Sequence, residues 1–371
     1  MSMNNKGGSP APTATNAAAT AGASGAPGPA GRPTATPAPA AAPKASLSAN
    51  IAKFRELGLL AFIVILAIGV QLRNPSFLTW ENLNDIATNT AILSILAVGM
   101  MLVIITRGID LSIGATLALA GMSAALTVKE YPGLSPLVAV LLGVGIGIVC
   151  GAVLGFLVAK INILPIIATL GMMNVFRGLT YELSGGKWVS AHQMPDSFKA
   201  IATGKVLGLN NLIVIAVVIY IVAYYFVNHT RTGRQIYAVG SNPDSAEVSG
   251  IKSGRILWLV YTIMGGLAGL AGVLWVAKFA SAQGDTASGY ELSVIAACVL
   301  GGVSIAGGSG KISGIILGSV LLGILNNALP MINVSPFWQN FIQGMIILIA
   351  VLINAVVKRG IDRNNLMRRR I

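Results

Sequence analysis

The side chains that could do chemistry in this 371-residue chain are few, and they lie in three clusters between long apolar runs. By cluster they are Arg107, Asp110 and Ser112; Thr169, Asn174 and Arg177; and Gln283 and Glu291. Hydroxyl, amide and carboxylate groups spaced in this way can hydrogen-bond a polar solute. The chain has only two cysteines and two histidines, and neither type is clustered. The pattern therefore predicts no metal site, no acid–base constellation and no catalytic residue.

A glycine-rich stretch at 307–311, Gly-Gly-Ser-Gly-Lys, is similar to part of a nucleotide-binding loop. The full pattern requires a glycine at position 305 and a Ser or Thr after the lysine. Both positions, 305 and 312, are isoleucine. We therefore predict that this chain has no ATP site and no bound cofactor. The later glycines Gly314, Gly318 and Gly323 instead favour close helix packing.

The composition identifies the elements that must position these residues. The chain is 54% hydrophobic and only 10% charged, whereas soluble domains carry about 25% charged residues. This predicts an all-α integral membrane protein with about ten transmembrane helices. The apolar runs lie near 56–72, 86–105, 112–128, 137–159, 163–182, 210–228, 256–277, 290–306, 312–329 and 337–357. The second and third runs could also form one broken element.

Each polar cluster has two interpretations. The stretch 106–114 is either a tight turn with a local Arg107–Asp110 ion pair or an irregular segment that lines a cavity. Spacings of three to five place Thr169, Asn174 and Arg177 roughly on one side of a helix. Arg177 could extend to the interface, and Thr169 and Asn174 are better candidates for facing a solute. We treat the eight residues of the three clusters as candidates for a translocation pathway.

The basic residues predict the orientation. With a cytoplasmic N-terminus, the loops at 106–111, 160–162, 229–255 and 304–311 lie inside, as do both termini. This arrangement places 18 of the 25 Lys and Arg residues inside and six outside, with Arg177 within a span. The charge of +13 therefore reflects membrane topology and does not indicate nucleic-acid binding. The outside segment 183–209 is either a connector or a surface for an external partner.

Two tails flank the membrane domain, which we place at 47–358. Residues 1–46 contain Pro, Ala, Gly, Ser and Thr with no Leu, Ile, Val or Phe. Such a segment cannot form a core, so we predict a disordered cytoplasmic tail. Residues 359–371 form a basic cytoplasmic tail.

The polar stretch 229–255 contains a complete short-helix signal. Asn242 is a good N-cap, Pro243 suits the first helical position, and Asp244 places negative charge at the positive end of the helix dipole. Gly250 can adopt the left-handed turn that ends a helix. A helix of about 243–249 is marginal in water by itself. We therefore expect it to dock against a partner.

Four stretches of the chain are similar to one known family. They are GIDLSIG at 108–114, TLGMMNVFRGL at 169–179, GRQIYAVGSNPDSAEVSGI at 233–251 and GYELSVIAACVLGGVSIAGGSGKISG at 289–314. In this order they resemble the permease subunits of bacterial ATP-binding-cassette sugar importers of the ribose, xylose and rhamnose type. The resemblance covers about residues 55–358.

The resemblance implies a multi-pass protein of the bacterial cytoplasmic membrane that translocates a monosaccharide by ATP-driven alternating access. It implies four partners: a cytoplasmic ATPase that binds ATP and Mg²⁺, an extracytoplasmic sugar-binding protein, a second permease copy or a similar sister permease, and the sugar. It also implies that the short helix is a coupling helix that docks on the ATPase. The coupling residues would be Asn242, Pro243, Asp244, Ser245, Ala246, Glu247 and Gly250.

Three other functions stay open from the sequence. A branched-chain amino-acid permease of the related importer group would need groups that bind a carboxylate and an ammonium. A secondary carrier would work without an ATPase, and an intramembrane enzyme would need a clustered constellation. Sparse hydroxyl and amide groups favour a neutral, hydroxyl-rich solute over an ion-coupled one.

Overall fold

Long apolar helices make up most of the computed structural model. It describes residues 47–206 and 208–335, with side chains from residue 56, and scattered positions between 338 and 352. The predicted tails 1–46 and 359–371, and most of the predicted span 337–357, lie outside the described residues. The predicted class is confirmed, because the chain folds as an all-α membrane protein.

Twelve α-helices lie within the described part of the chain. They are α1 (Leu47–Arg73), α2 (Trp80–Ile105), α3 (Ile113–Glu130), α4 (Pro136–Ala159), α5 (Pro165–Ser184), α6 (Asp196–Thr203), α7 (Asn211–His229), α8 (Arg231–Ser241), α9 (Pro243–Val248), α10 (Ser253–Phe279), α11 (Tyr290–Leu300) and α12 (Ile312–Met331). A 3-10 helix (Ala191–Gln193) precedes α6, and two antiparallel two-residue strands, β1 (Lys205–Val206) and β2 (Leu209–Asn210), follow it.

Six of the described helices, namely α1, α2, α4, α7, α10 and α12, are long and apolar enough to cross a membrane. The predicted second and third spans are the separate helices α2 and α3, with an irregular break at 106–112. The predicted span 290–306 is wrong as a full crossing. Its helix α11 has 11 residues and is about 16 Å long, roughly half the hydrocarbon thickness of a bilayer.

Helix α10 packs along α4 with the two backbones in contact. Gly143, Gly147 and Gly151 recur every fourth residue on α4 and face Gly265 and Gly269 of α10. A Cβ on Gly147 would collide with the carbonyl oxygen of Gly265. Small residues are required here because close packing, not a hydrophobic gradient, holds helices together in lipid.

The bundle has two distinguishable ends. At one end, Lys311 pairs with Glu56 at 3.1 Å, and the break after α2 contacts the end of α8. The four loops that the basic residues predict on one side all lie at this end. At the opposite end, Asn74 binds the carbonyl oxygen of Met331 at 3.1 Å. We refer to these as the loop end and the opposite end.

Candidate functional site

Helix α8 anchors the 229–255 loop to the bundle. The hydroxyl of Thr230 accepts a hydrogen bond from the backbone N–H of Gly233 at 3.0 Å and so caps the helix. Ile236, Val239 and Gly240 form a buried stripe at helical spacing. The sequence analysis did not predict this helix, although the spacing of these apolar residues indicates it.

Helix α9 follows α8 directly and has the predicted caps. The Asn242 side-chain oxygen accepts a hydrogen bond from the Ser245 N–H at 3.1 Å. Gly250 adopts a left-handed conformation with φ of 79°, and its N–H donates to the carbonyl oxygen of Glu247 at 2.8 Å. The helix ends at Val248, one residue before the predicted bound.

The outward surface of α9 differs from the predicted set of coupling residues. Asn242, Asp244, Ser245, Glu247 and Gly250 are exposed and Pro243 is half-buried, but Ala246 is only 4% exposed and packs inward. Ala246 therefore holds α9 in place and has no surface to offer a partner. Val248, which the sequence analysis missed, is 91% exposed beside Glu247. An apolar side chain presented in this way is typical of a contact surface.

Arg107 joins the end of α8 to the break after α2. Its Nε donates to the carbonyl oxygen of Gly240 at 2.7 Å, and its Nη2 donates to that of Ser241 at 2.6 Å. These carbonyl groups belong to the last turn of α8, where they lack partners within the helix. Arg107 therefore ties the last turn of α8 directly to the break after α2.

The 304–311 loop completes this junction. The N–H of Gly308 donates to the carbonyl oxygen of Ile105 at 2.9 Å. The hydroxyl of Tyr237 on α8 donates to the carbonyl oxygen of Gly310 at 2.7 Å, and burial raises the pKa of this phenol. The end of α2, the end of α8 and the loop before α12 thus meet at one point.

The stretch 106–112 is not a turn closed by an Arg107–Asp110 ion pair. Asp110 is buried and accepts hydrogen bonds from the N–H and hydroxyl of Ser112, at 2.8 and 2.7 Å. The Thr169 hydroxyl lies 3.4 Å from the carbonyl oxygen of Ile109. The structure therefore shows an irregular segment within the bundle, without the local ion pair of the first interpretation. That this segment lines a cavity stays a prediction.

The residues predicted to share one side of α5 do not share it. Thr169 is fully buried, whereas Asn174 is exposed and its amide binds the carbonyl oxygen of Leu170 at 3.0 Å. Residues five apart on an α-helix point about 140° apart, which explains the error. Thr169 faces no open space, and Asn174 lies on the outward face with Ile167 and Leu170.

Arg177 does not extend to the interface as the sequence allowed. Half-buried about 18 Å along α5, it donates through Nη1 to the carbonyl oxygens of Gly284 and Thr286, both at 2.8 Å. It also interacts electrostatically with Glu291 and Asp285. Arg177 thus holds the segment between α10 and α11 against α5.

Gln283 stabilises the same segment internally. Its N–H donates to the Thr286 hydroxyl at 3.1 Å, and its amide donates to the Ser281 hydroxyl at 3.2 Å. A backbone bridge between Val189 and Ala282 ties this segment to the connection after α5.

The first turns of α3 and α11 meet. A Cβ on Gly114 would lie 2.9 Å from Glu291 Oε2 and against the carbonyl oxygen of Ala287. The two stretches share a pattern of Gly, any residue, an acid, Leu and Ser, as GIDLS at 108–112 and GYELS at 289–293. Helix α2 runs toward the loop end, and α10 runs away from it. The pair α2–α3 is therefore inverted relative to the pair α10–α11. Broken helices at matching positions of an inverted repeat indicate a transporter's central site.

The sequence analysis missed this repeat, although the shared pattern could have revealed it. The structure brings Arg107, Asp110, Ser112 and Thr169 into one group and Arg177, Gln283 and Glu291 into a second, while Asn174 stands apart. Within the described residues no cluster of His, Cys, Asp and Glu could hold a metal ion. Cys150 and Cys298 are buried and unpaired.

A model of the family described as branched-chain amino acid transport system / permease component matches residues 82–351. The match covers well over half of the chain. The chain belongs to this permease family. The matched region includes the breaks after α2 and α10, helices α8 and α9, and the 304–311 loop. Each feature described above therefore lies within it.

The permease is also similar to curated proteins over most of its length. It is 42% identical to the ribose import permease of Escherichia coli strain K12, a match that covers 80% of this chain and 92% of that protein. It is 39% identical to the ribose import permease of Bacillus subtilis strain 168, over 81% and 92%. The galactose/methyl galactoside import permease of Haemophilus influenzae is 33% identical, over 80% and 93%. None of the solved structures compared matches the permease.

Proposed function

We propose that this permease carries a monosaccharide of the ribose type into the cytoplasm, driven by ATP hydrolysis on a separate ATPase. The loop end of the bundle is cytoplasmic in this proposal, as are both termini, and the membrane is a bacterial inner membrane. The partners are the ATPase with its ATP and Mg²⁺, an extracytoplasmic sugar-binding protein, and a second permease copy or a sister chain.

The connection from α9 through α8 to Arg107 is the observation that supports a separate ATPase as the energy source. Helix α9 exposes Val248 and Glu247, and among the described residues nothing covers this surface. Arg107 links α8 to the end of α2. Gly308 links the loop before α12 to the end of α2, and Tyr237 of α8 donates a hydrogen bond to that loop. A partner that displaces α9 would therefore move the pairs α2–α3 and α10–α11 together.

The chemistry of the buried polar groups supports a neutral, hydroxyl-rich cargo. Asp110 is bound to Ser112, and Arg177 is bound to backbone carbonyl groups. A free carboxylate–ammonium pair of the kind an amino acid would need is absent from these two groups. The names of the most similar relatives quoted above, ribose and galactose permeases, point in the same direction.

The outward face of α5 provides the proposed contact with a second copy. This face carries Asn174 between exposed apolar residues. A polar amide that faces lipid is unfavourable, so we place it toward a pathway between two permeases. In this arrangement the pathway hydroxyls and amides would come from both copies.

The proposed mechanism is alternating access. Closure of the ATPase would push α9, and α8 would carry the motion through Arg107 to the break at 106–112. Because Gly114 of α3 packs against Glu291 of α11, the two half-units would shift as one. The segment held by Arg177 would then open or close the opposite end.

Transport in reconstituted vesicles tests the proposal. The permease would be reconstituted with its ATPase and sugar-binding protein, and uptake of labelled ribose, xylose, rhamnose and leucine would be measured. We expect ATP-dependent uptake of one pentose or deoxyhexose. Uptake of leucine instead would favour a branched-chain amino-acid permease, the function named in the family's description. Uptake by the permease alone under an ion gradient would contradict the external drive.

A further inference from the structure

A cavity of about 750 Å³ opens at the loop end between the C-terminal turn of α4 and the start of α10. Phe156 and Lys160 line it from α4, Lys252 and Ser253 from the start of α10, and Trp258 from one turn farther along. The proposed transport function assigns no ligand to this cavity, although Glu247 and Gly250 of the proposed coupling helix border it.

The charged residues around the cavity are mainly basic. Lys160, Lys252 and Arg255 line it, and all three are exposed. Glu247 at the α9 side is the single acidic residue among those lining it. The excess of positive charge favours an anionic occupant.

The first turn of α10 adds uncapped backbone donors. Lys252, the N-cap residue, makes no side-chain cap. The N–H groups of Ser253 and Gly254 have no hydrogen-bond acceptor in the described part of the chain. This helix has 27 residues, and the N-terminus of a long helix binds phosphate through free N–H groups and its dipole.

Ser253 supplies an independent indication of a ligand. The residue lines the cavity and is only 7% exposed, and its hydroxyl makes no hydrogen bond. A buried hydroxyl without a partner is unfavourable. An anionic oxygen at the start of α10 would supply the missing acceptor.

Two aromatic residues place the cavity at a membrane surface. Phe156 and Trp258 are both exposed, at 50% and 42%. The Trp258 indole N–H donates to the carbonyl oxygen of Ala152 at 3.1 Å, which fixes the ring against α4. Exposed Trp beside Lys and Arg at the end of an apolar span is typical of the lipid headgroup level.

We propose that this cavity binds the phosphate group of an anionic phospholipid headgroup. The cations and the N-terminal N–H groups of α10 hold the phosphate, and the acyl chains lie along α4 and Trp258. The placement at the headgroup level of the cytoplasmic leaflet rests on the orientation in the proposed function. Lipid binding at this point would stabilise α9 and the turn that follows it, because Glu247 and Gly250 border the same cavity.

Native mass spectrometry and thermal unfolding of the purified full-length permease test the proposal. The probes are phosphatidylglycerol, phosphatidylcholine and inorganic phosphate. The variant is Lys160→Glu with Lys252→Glu, and the matched control is Lys187→Glu with Lys205→Glu, two exposed lysines of the 183–209 segment. For the wild type and the control we expect retained phosphatidylglycerol and a raised melting temperature. Retention by the variant should fall about tenfold or more.

Ser253→Ala provides a second test, which separates a loss of lipid binding from a loss of folding stability. Without lipid, its melting temperature should equal or exceed that of the wild type, because an unpaired hydroxyl is removed. Its retention of phosphatidylglycerol should nevertheless fall. Equal retention by the Lys160→Glu, Lys252→Glu variant would overturn the proposal, as would equal binding of phosphatidylcholine or full displacement by millimolar phosphate. These measurements need no ATPase and no sugar, so they are independent of the transport test.

Discussion

The guanidinium of Arg107 donates a 2.7 Å hydrogen bond to the carbonyl oxygen of Gly240, 133 residues away in the chain. Arg107 has a left-handed backbone conformation with φ of 66°, which is unfavourable for a residue with a Cβ. Gly240 packs so closely on α2 that a Cβ there would collide with the carbonyl oxygen of Ile105. The end of α2 and the end of α8 are therefore joined by a hydrogen bond and by a close backbone contact.

Replacing Arg107 by Ala should uncouple ATP hydrolysis from uptake. The variant loses the hydrogen bonds to Gly240 and Ser241, so motion of α8 no longer reaches the break. In vesicles we expect uptake to fall about tenfold or more while ATP hydrolysis by the complex continues. Arg234→Ala removes an exposed arginine of α8 and serves as the control. Normal uptake by Arg107→Ala would contradict the proposed connection.

Charged substitution at Val248 should weaken binding of the ATPase without unfolding the permease. Val248 is 91% exposed, so Val248→Asp removes no internal packing. Burial of a valine at an interface contributes about 1.5 kcal/mol, and we expect roughly tenfold weaker association in a pull-down titration. Val206→Asp on β1, at the opposite end, is the matched control.

Charge reversal at Glu247 combined with a bulky residue at Gly250 should uncouple ATP hydrolysis from uptake, as we expect for Arg107→Ala. The protein should still reach the membrane, because both side-chain positions are exposed. Gly250 has φ of 79°, so any side chain there also strains the turn that ends α9. Normal uptake in this variant would show that α9 is not the coupling helix.

Asp110→Ala should impair both stability and transport, and Asp110→Asn should impair them less. The alanine variant leaves the N–H and hydroxyl of Ser112 without their acceptor, at a cost of about 1–3 kcal/mol for each unsatisfied buried group. Asparagine keeps one side-chain oxygen as an acceptor. Thermal unfolding and uptake measure the two effects, with exposed Glu130→Ala at the end of α3 as control. A fully active Asp110→Ala permease would favour a simple turn.

Two glycines of α4 provide a matched pair for the packing against α10. A Cβ on Gly147 would collide with Gly265, whereas a Cβ on Gly145 would have nothing within 4 Å. We expect Gly147→Ala to lower the free energy of unfolding by about 1–3 kcal/mol. Gly145→Ala should leave it unchanged or raise it by up to about 1 kcal/mol. Equal effects at both positions would contradict the close backbone contact.

The amino-acid sequence by itself determined the membrane class, six of the ten predicted spans and the caps of α9. These features depend on local properties: apolar runs of bilayer length, an Asn-Pro start and a glycine at a left-handed turn. The sequence also indicated the family, because four separated stretches occur together in one order.

Only the tertiary structure decided which polar residues face which neighbours. The partners of Arg107 and Arg177 lie more than a hundred residues away, and Arg107 does not pair with Asp110 as spacing suggested. Thr169 and Asn174 were separated because a helical offset of five residues reverses the face. Helix α11 ends at Leu300, where the next residue, Gly301, packs against the backbone of Gly314 in α12. Contacts of this kind arise from packing between distant segments, which local composition and spacing do not encode.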